Sequence, residues 1–240
     1  MNADKTNCML ICTPQRRATL AGKTLDLHLN NQQLQCVESH KVLGVVVDQS
    51  LKFDDHIGMV CSKLSRLHFL LRRIAPFLTE ESKKLFYFSY IHSNLIYCIC
   101  TWGTCCKSNI SRLYNMQRRI CQTLLNDYTS PAESLFRKLN ILTINEQIKL
   151  SVACLVYKCF HGLAPSSLNE LFEPVRSCKT HNLRNSELNV ALPAPHTEIR
   201  KRTISYFGAT TWNSIPAHIR TAVTVESFKY KMKSYILSMR

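Results

Sequence analysis

Residues 40–74 read HKVLGVVVDQSLKFDDHIGMVCSKLSRLHFLLRRI, and the hydrophobic period changes inside them. Up to Asp48 the stretch is rich in β-branched residues, which suit a pleated strand. From Asp54 onward, Ile57, Val60, Cys61, Leu64, Leu67, Leu71 and Ile74 recur at intervals of three and four, the apolar stripe of one α-helix. Pro76 sets the limit of that helix, because its ring clashes with the preceding turn and it has no amide to donate. The chain is therefore expected to be β before this stretch and α after it. That is an α+β fold, mainly α, with a small N-terminal β segment followed by a helical bundle and a helical C-terminal region.

Downstream, LTEES places Thr79 as a cap, with Glu80 and Glu81 at the positive end of a second helix. That helix is apolar nearly all round from Leu85 to Tyr97, so a central position is expected. A third helix begins near Ser108 and turns Ile110, Leu113, Gln117, Ile120, Cys121 and Leu124 inward. A fourth, AESLFRKLN, follows Pro131, and a fifth, NEQIKLSVACLVYKCFHG, stops at Gly162 with Pro165 beyond. Residues 173–200 hold Pro174, Pro193 and Pro195 and read as a linker or extended arm. The final helix puts Phe228, Met232, Tyr235 and Ile236 on one side, and Trp212 reads as the anchor that packs the tail onto the body.

Upstream, NCMLICT is a compact apolar run and KTLDLHL alternates, with Leu25, Leu27 and Leu29 on one face. Ala21-Gly22 and Asn30-Asn31 supply turns. The expected divisions are residues 1–52 (β segment), 53–172 (helical domain), 173–200 (arm) and 201–240 (C-terminal helices).

The chain has 240 residues, 31 Lys and Arg against 16 Asp and Glu, and a net charge of +15. Such a surplus points to a polyanionic partner, most often a phosphate backbone, with an ordinary basic surface as the plain alternative. No apolar run approaches the roughly 20 residues of a membrane span, and MNADKTNCML lacks the basic-then-apolar order of a secretory signal. An intracellular location, cytoplasm or nucleus, is the expectation, with no membrane. The twelve cysteines include no pair with the two-residue gap of a zinc knuckle, so they read as buried thiols.

Asp54-Asp55 raises the question of a two-carboxylate metal site. In right-hand polymerases such a pair sits on a tight hairpin that aims both groups at two metals. Here the pair opens a helix, where neighbours point about 100° apart. Capping of the first turn is the expected role. Basic residues are better placed for function. Lys63, Arg66 and Arg73 are spaced by three and seven and share a stripe about 120° from the apolar face, able to follow a phosphate backbone or simply to face water. IRKRTISYF combines Arg200, Lys201 and Arg202 with Tyr206 and Phe207, a mixture suited to holding a single strand. No catalytic constellation stands out.

Read in order, these segments resemble the C-terminal part of the reverse transcriptase of jockey-like non-LTR retrotransposons. NADKTNCMLI looks like the segment after the catalytic hairpin, and HKVLGVVVDQSLKFDDHI looks like the primer-grip hairpin and the helix after it, with Val42 in place of the usual aromatic. YCICTWGTC and LYNMQRRICQTLL resemble thumb segments, while CFHGLAPSSLNELF and TTWNSIPAHIRTAVTVESFKYKMKSYIL resemble the terminal region. The resemblance covers essentially the whole chain. It implies a palm remnant, a thumb-like helical domain and a terminal helical region, in a family of RNA-directed DNA polymerases that use Mg2+. It also implies that the metal ligands lie upstream of the segment that opens this chain, so that no cofactor is expected here and Met1 marks an internal start. By the same resemblance, Lys5 would sit near the incoming nucleotide's phosphates, and Lys41 to Gly44 would approach the primer end.

Two functions remain open on this reading. One is a catalytically incomplete remnant that binds RNA or an RNA–DNA hybrid. The other is a basic helical interaction module, or a thumb supplied in trans to a palm domain on another chain.

Overall fold

The computed structural model describes residues 6–20, 26–175 and 188–240. In chain order the elements are β1 (Asn7–Cys8), α1 (Pro14–Thr19), β2 (His28–Leu29), β3 (Gln32–Gln33), β4 (Gln35–Cys36), β5 (Ser39–Val42), β6 (Val45–Asp48), α2 (Asp54–Ile74), α3 (Glu80–Phe86), α4 (Ser93–Ile96), α5 (Ile99–Trp102), α6 (Lys107–Leu125), α7 (Ala132–Leu139), α8 (Ile144–Phe160), α9 (Ser166–Asn169), α10 (Glu198–Lys201), α11 (Ile204–Asn213), α12 (Ala217–Arg220) and α13 (Val225–Ser238). The fold is α+β and mainly α, with a small strand-bearing N-terminal segment.

The strands are shorter than their sequence suggests. They pair only two by two: β1 parallel with β4, β2 antiparallel with β3, and β5 antiparallel with β6. HKVLGVVVD is not one strand. It folds back at Leu43 (φ 46°) and Gly44 (φ 86°), so that Val42 pairs with Val45. Asn30 and Asn31, at φ 52° and 62°, make the expected tight turn between β2 and β3. The expected alternating face of Leu25, Leu27 and Leu29 is paired over little of its described length. Only Leu29 is in β2, Leu27 is exposed, and Leu25 lies outside the described residues. NCMLICT is paired over Asn7 and Cys8 alone. Of the described residues before Phe53, Cys8 and Val45 are the only buried hydrophobics, too little apolar contact to extend a sheet.

α2 buries Ile57, Val60, Leu64 and Leu71, as its stripe requires, and gives way at Ala75–Phe77 to one 3₁₀ turn containing Pro76. Its start differs from expectation. Neither Asp54 nor Asp55 caps the first turn, and Phe53 at φ 58° occupies the cap position. Asp48 organises the approach instead, accepting from the amides of Ser50 (2.9 Å), Lys52 (3.2 Å) and Phe53 (2.6 Å) and from the Ser50 hydroxyl. Burial alone would raise the pKa of Asp48, but these hydrogen bonds outweigh it and hold the carboxyl below its ordinary range.

Thr79 caps α3 as expected, accepting from the Ser82 amide at 3.2 Å. The stretch from Leu85 to Tyr97 is not central. Residues Tyr87–His92 widen into a π-helical segment, and Tyr87, Ile91 and Leu95, spaced by four, turn inward. Leu85, Phe88, Tyr90, Ile96 and Tyr97 remain exposed. The central helix is α8, which packs against α5, α6, α11 and α13. It begins with a capping box in which Thr143 and Glu146 each satisfy the other's backbone amide. α6 turns Ile110, Leu113, Gln117, Ile120, Cys121 and Leu124 inward, as its period predicts.

Trp212 is fully buried and is the expected anchor. Its ring lies 5.6 Å from Phe160 on α8 and 5.8 Å from Phe228 on α13, centroid to centroid. The described ends of residues 173–200 are pinned to the same region. The Trp212 indole donates to the Leu188 carbonyl at 2.7 Å, and the Val190 amide donates to Asn213 Oδ1 at 3.0 Å. The apolar core runs without a break from Val45 to Ile236. Among the described residues no single helix is long and apolar enough to cross a membrane.

Candidate nucleic-acid interface

The outward face of α2 carries Lys63, Arg66 and Arg73, all exposed. From Lys63 to Arg73 is ten residues, about 15 Å of helix axis. Half-exposed apolar side chains are set among them: Met59 at 39%, Leu70 at 47% and Phe69 at 60%. The Arg73 guanidinium lies over the Phe69 ring, 5.0 Å from its centroid. Among the described residues no carboxylate forms an ion pair with any of the three cations. Their charge is therefore available to an external anion, and Phe69 offers a flat apolar surface to a base.

Packing of α2 on α6 assembles a second basic group that the sequence did not reveal. His68 Nε2 lies 2.8 Å from Thr123 Oγ1. The Thr123 hydroxyl also lies 3.2 Å from the Arg119 carbonyl, so an imidazole protonated on Nε2 would let that hydroxyl serve both partners. Burial, and then the charges of Arg72 and Arg119, lower the pKa of His68. Burial raises the pKa of Cys61, about two turns closer to the start of α2, and the charge of Arg112 opposes that rise. Arg72, Arg112 and Arg119 thus border one seam between two helices. The only hint in the sequence was the doublets Arg72-Arg73 and Arg118-Arg119; which member faces the seam depends on how the helices pair.

The hairpin residues sit apart. Lys41 is exposed on β5. Gly44 occupies the turn at φ +86°, and a Cβ there would approach the Tyr97 ring to 3.3 Å. The Tyr97 hydroxyl donates to the Leu43 carbonyl at 2.6 Å, fixing the hairpin tip to the helical body. Lys5 lies outside the described residues.

Arg200 and Lys201 belong to α10, which Thr197 caps, and Arg202 follows it. All three are exposed, but Lys201 is engaged by Glu198 at 2.5 Å. The expected stacking platform is only partly present: Phe207 shares a cavity wall with Lys201 and Arg202, and Tyr206 does not. Both are half-buried on α11, and Phe207 packs against the core. Arg202 lies near the start of α2, sharing a cavity wall with Ser50, Leu51 and Phe53. Arg73 is at the other end of a helix roughly 30 Å long. The two basic groups singled out from the sequence therefore form separate patches.

The Asp-Asp pair does not fit a two-metal site. Asp54 Oδ1 accepts from Asn109 Nδ2 at 2.7 Å, and both residues lie in the first turn of α2, where neighbouring positions are about 100° apart. Among the described residues no group of three or more His, Cys, Asp or Glu side chains could hold a metal ion. Burial pushes the thiols of Cys105 and Cys121 up to about 12 and those of Cys100 and Cys154 up to about 11, which disfavours the thiolate needed for ligation or attack. No family model, curated protein or solved structure matches the chain.

Proposed function

We propose that the chain binds RNA or an RNA–DNA hybrid through the Lys63, Arg66 and Arg73 face of α2, aided by Arg72, Arg112 and Arg119 across the seam to α6, and that it has no polymerase activity of its own. In origin it is the palm-end, thumb-like and terminal part of a non-LTR reverse transcriptase, as the resemblance of its segments implies. What supports the binding role is the exposed cation row on α2, which no described carboxylate pairs, with Phe69 set among its members. What supports the absence of polymerisation is the setting of Asp54-Asp55, since both residues lie in the first turn of α2 and the Asp54 carboxylate is engaged by Asn109.

The test is fluorescence anisotropy with a single-stranded RNA and an RNA–DNA hybrid across a salt series. Affinity that falls steeply with salt supports the reading, and salt-insensitive or absent binding refutes it. Primer extension with Mg2+ or Mn2+ is expected to yield no product on any template.

The β5–β6 hairpin favours a second reading, a thumb-like unit supplied in trans to a palm domain. Its tip exposes Val42 at 50% and Leu43 at 84%, apolar surface that a protein partner would cover. Co-purification with a separately expressed palm domain, lost on Leu43→Asp, is the outcome that would establish it.

A further inference from the structure

Between the start of α6, the first turns of α8 and the α10–α11 corner lies a cavity of about 710 Å3, well within the size range of small-molecule sites. Four cations line it: Lys107, Lys149, Lys201 and Arg202. Among the described residues, the one carboxylate in its wall is Glu198, which is already paired with Lys201. The hydrogen bond and charge of Lys201, helped by Arg202 and Lys107, hold the Glu198 carboxyl below its ordinary range. Four positive groups against one carboxylate leave a surplus of three, brought together from three separate parts of the chain. All four are exposed at the cavity rim, so their surplus charge attracts an anion into the space between them.

Charge alone would suit any anion, but the rest of the wall narrows the choice. Ile110 and Ile148 are buried and form an apolar floor. Tyr114, whose ring is held against Phe136 with centroids 5.7 Å apart, and Phe207 also line the wall. Bare phosphate would have no use for two aromatic rings and this volume. A flat heteroaromatic carrying phosphate would use both halves of the wall, with the base against Tyr114 or Phe207 and the phosphates among the cations.

We propose that this cavity is a binding site for a phosphorylated nucleoside, either free or at the end of a strand. The site involves neither the α2 cation row nor the β5–β6 hairpin, so it stands or falls separately from the nucleic-acid interface.

Isothermal titration of the full chain with ADP, adenosine and inorganic phosphate provides the test. ADP is expected to bind, with adenosine and phosphate each at least about tenfold weaker, and Lys149→Ala is expected to weaken ADP by about tenfold. Glu198→Gln, which frees Lys201 and removes the only opposing charge, is expected to tighten ADP by about threefold. Lys63→Ala/Arg66→Ala/Arg73→Ala should leave ADP binding unchanged. A 5′-phosphorylated hexanucleotide that displaces ADP, while its 5′-hydroxyl counterpart does not, would assign the site to a strand end. Displacement by neither would assign it to the free nucleotide. No ADP binding, phosphate binding as tightly as ADP, or indifference to Lys149→Ala would each overturn the proposal. RNA binding that persists without ADP binding would overturn it while sparing the α2 interface, and ADP binding without RNA binding would do the reverse.

Discussion

Gln117 on α6 donates from Nε2 to the Tyr87 hydroxyl at 2.8 Å, tying the π-helical segment to the long helix beneath it. The same amide donates to the Leu142 carbonyl at 2.9 Å and accepts from the Ile144 amide at 2.8 Å, so one buried side chain also fixes the start of α8. Replacing it with Leu leaves a buried amide, a carbonyl and a hydroxyl without partners. Gln117→Leu is expected to cost about 3 kcal/mol or more in urea unfolding, and Tyr87→Phe about 1 kcal/mol. The double variant should cost less than the sum, because both changes delete the same hydrogen bond. Strict additivity would show that the two residues are not coupled.

Trp212 holds the C-terminal helices to α8 and the chain at Leu188 to both. Trp212→Ala is expected to destabilise the fold by about 3–5 kcal/mol. Hydrogen exchange should then rise in α11 and α13 before it rises in α2. Uniform loss of protection in α2 and α13 would contradict the local character of this anchor.

Acid should weaken the fold before its carboxylates titrate. Burial lowers the pKa of His56, His68, His92 and His161, and nearby cations add to the shift at His68 and His92. The folded chain therefore binds fewer protons than the unfolded one below the ordinary histidine value of about 6.5. Stability is complete above that pH and falls as pH drops through the folded values. His56 is the most exposed to this effect, since its Nδ1 accepts from the Val46 amide and would lose that bond on protonation. The urea midpoint should be lower at pH 5.5 than at pH 7.5, and an unchanged midpoint would count against buried neutral histidines. Asp48 and Glu146, whose carboxyls sit below their ordinary range, add a second loss at still lower pH.

A polyanion that crosses the α2–α6 seam should change the titration of His68. Phosphates on Arg72 and Arg119 would cancel the charges that help to lower its pKa, so the imidazole pKa should rise on RNA binding. The imidazole NMR resonances report it directly. In parallel, Lys63→Ala/Arg66→Ala/Arg73→Ala should reduce the slope of log affinity against log salt by about two. A slope unchanged in that variant would move the interface away from α2.

The exposed thiols should react well ahead of the buried ones. Cys36 and Cys98 are exposed, whereas Cys105 and Cys121 are buried with pKa values near 12. Thiol titration of the native chain should show a fast class containing the first two and a slow class that appears only with unfolding. Rapid modification of Cys121 would mean that α6 opens readily.

The helices were legible because their stripes are local. Seven apolar positions in 54–74 specify a face whatever that face meets, and Pro76 and Gly162 end their helices through backbone constraints that need no partner. The strands were less legible, since a strand has no hydrogen bonds of its own and extends only as far as a partner does. Leu25, Leu27 and Leu29 alternate in the sequence, yet Leu27 is exposed and β2 is only two residues long. The same limit applies to the cations. Sequence spacing alone put Lys63, Arg66 and Arg73 on one helical face, because 3.6 residues per turn relates them. It could not join Arg72 to Arg119, or Lys107 to Lys149 and Arg202, because those neighbours are brought together by helix packing across the core. Charge and period are properties of the chain itself; which charges share a seam or a cavity is decided only when the buried faces choose their partners.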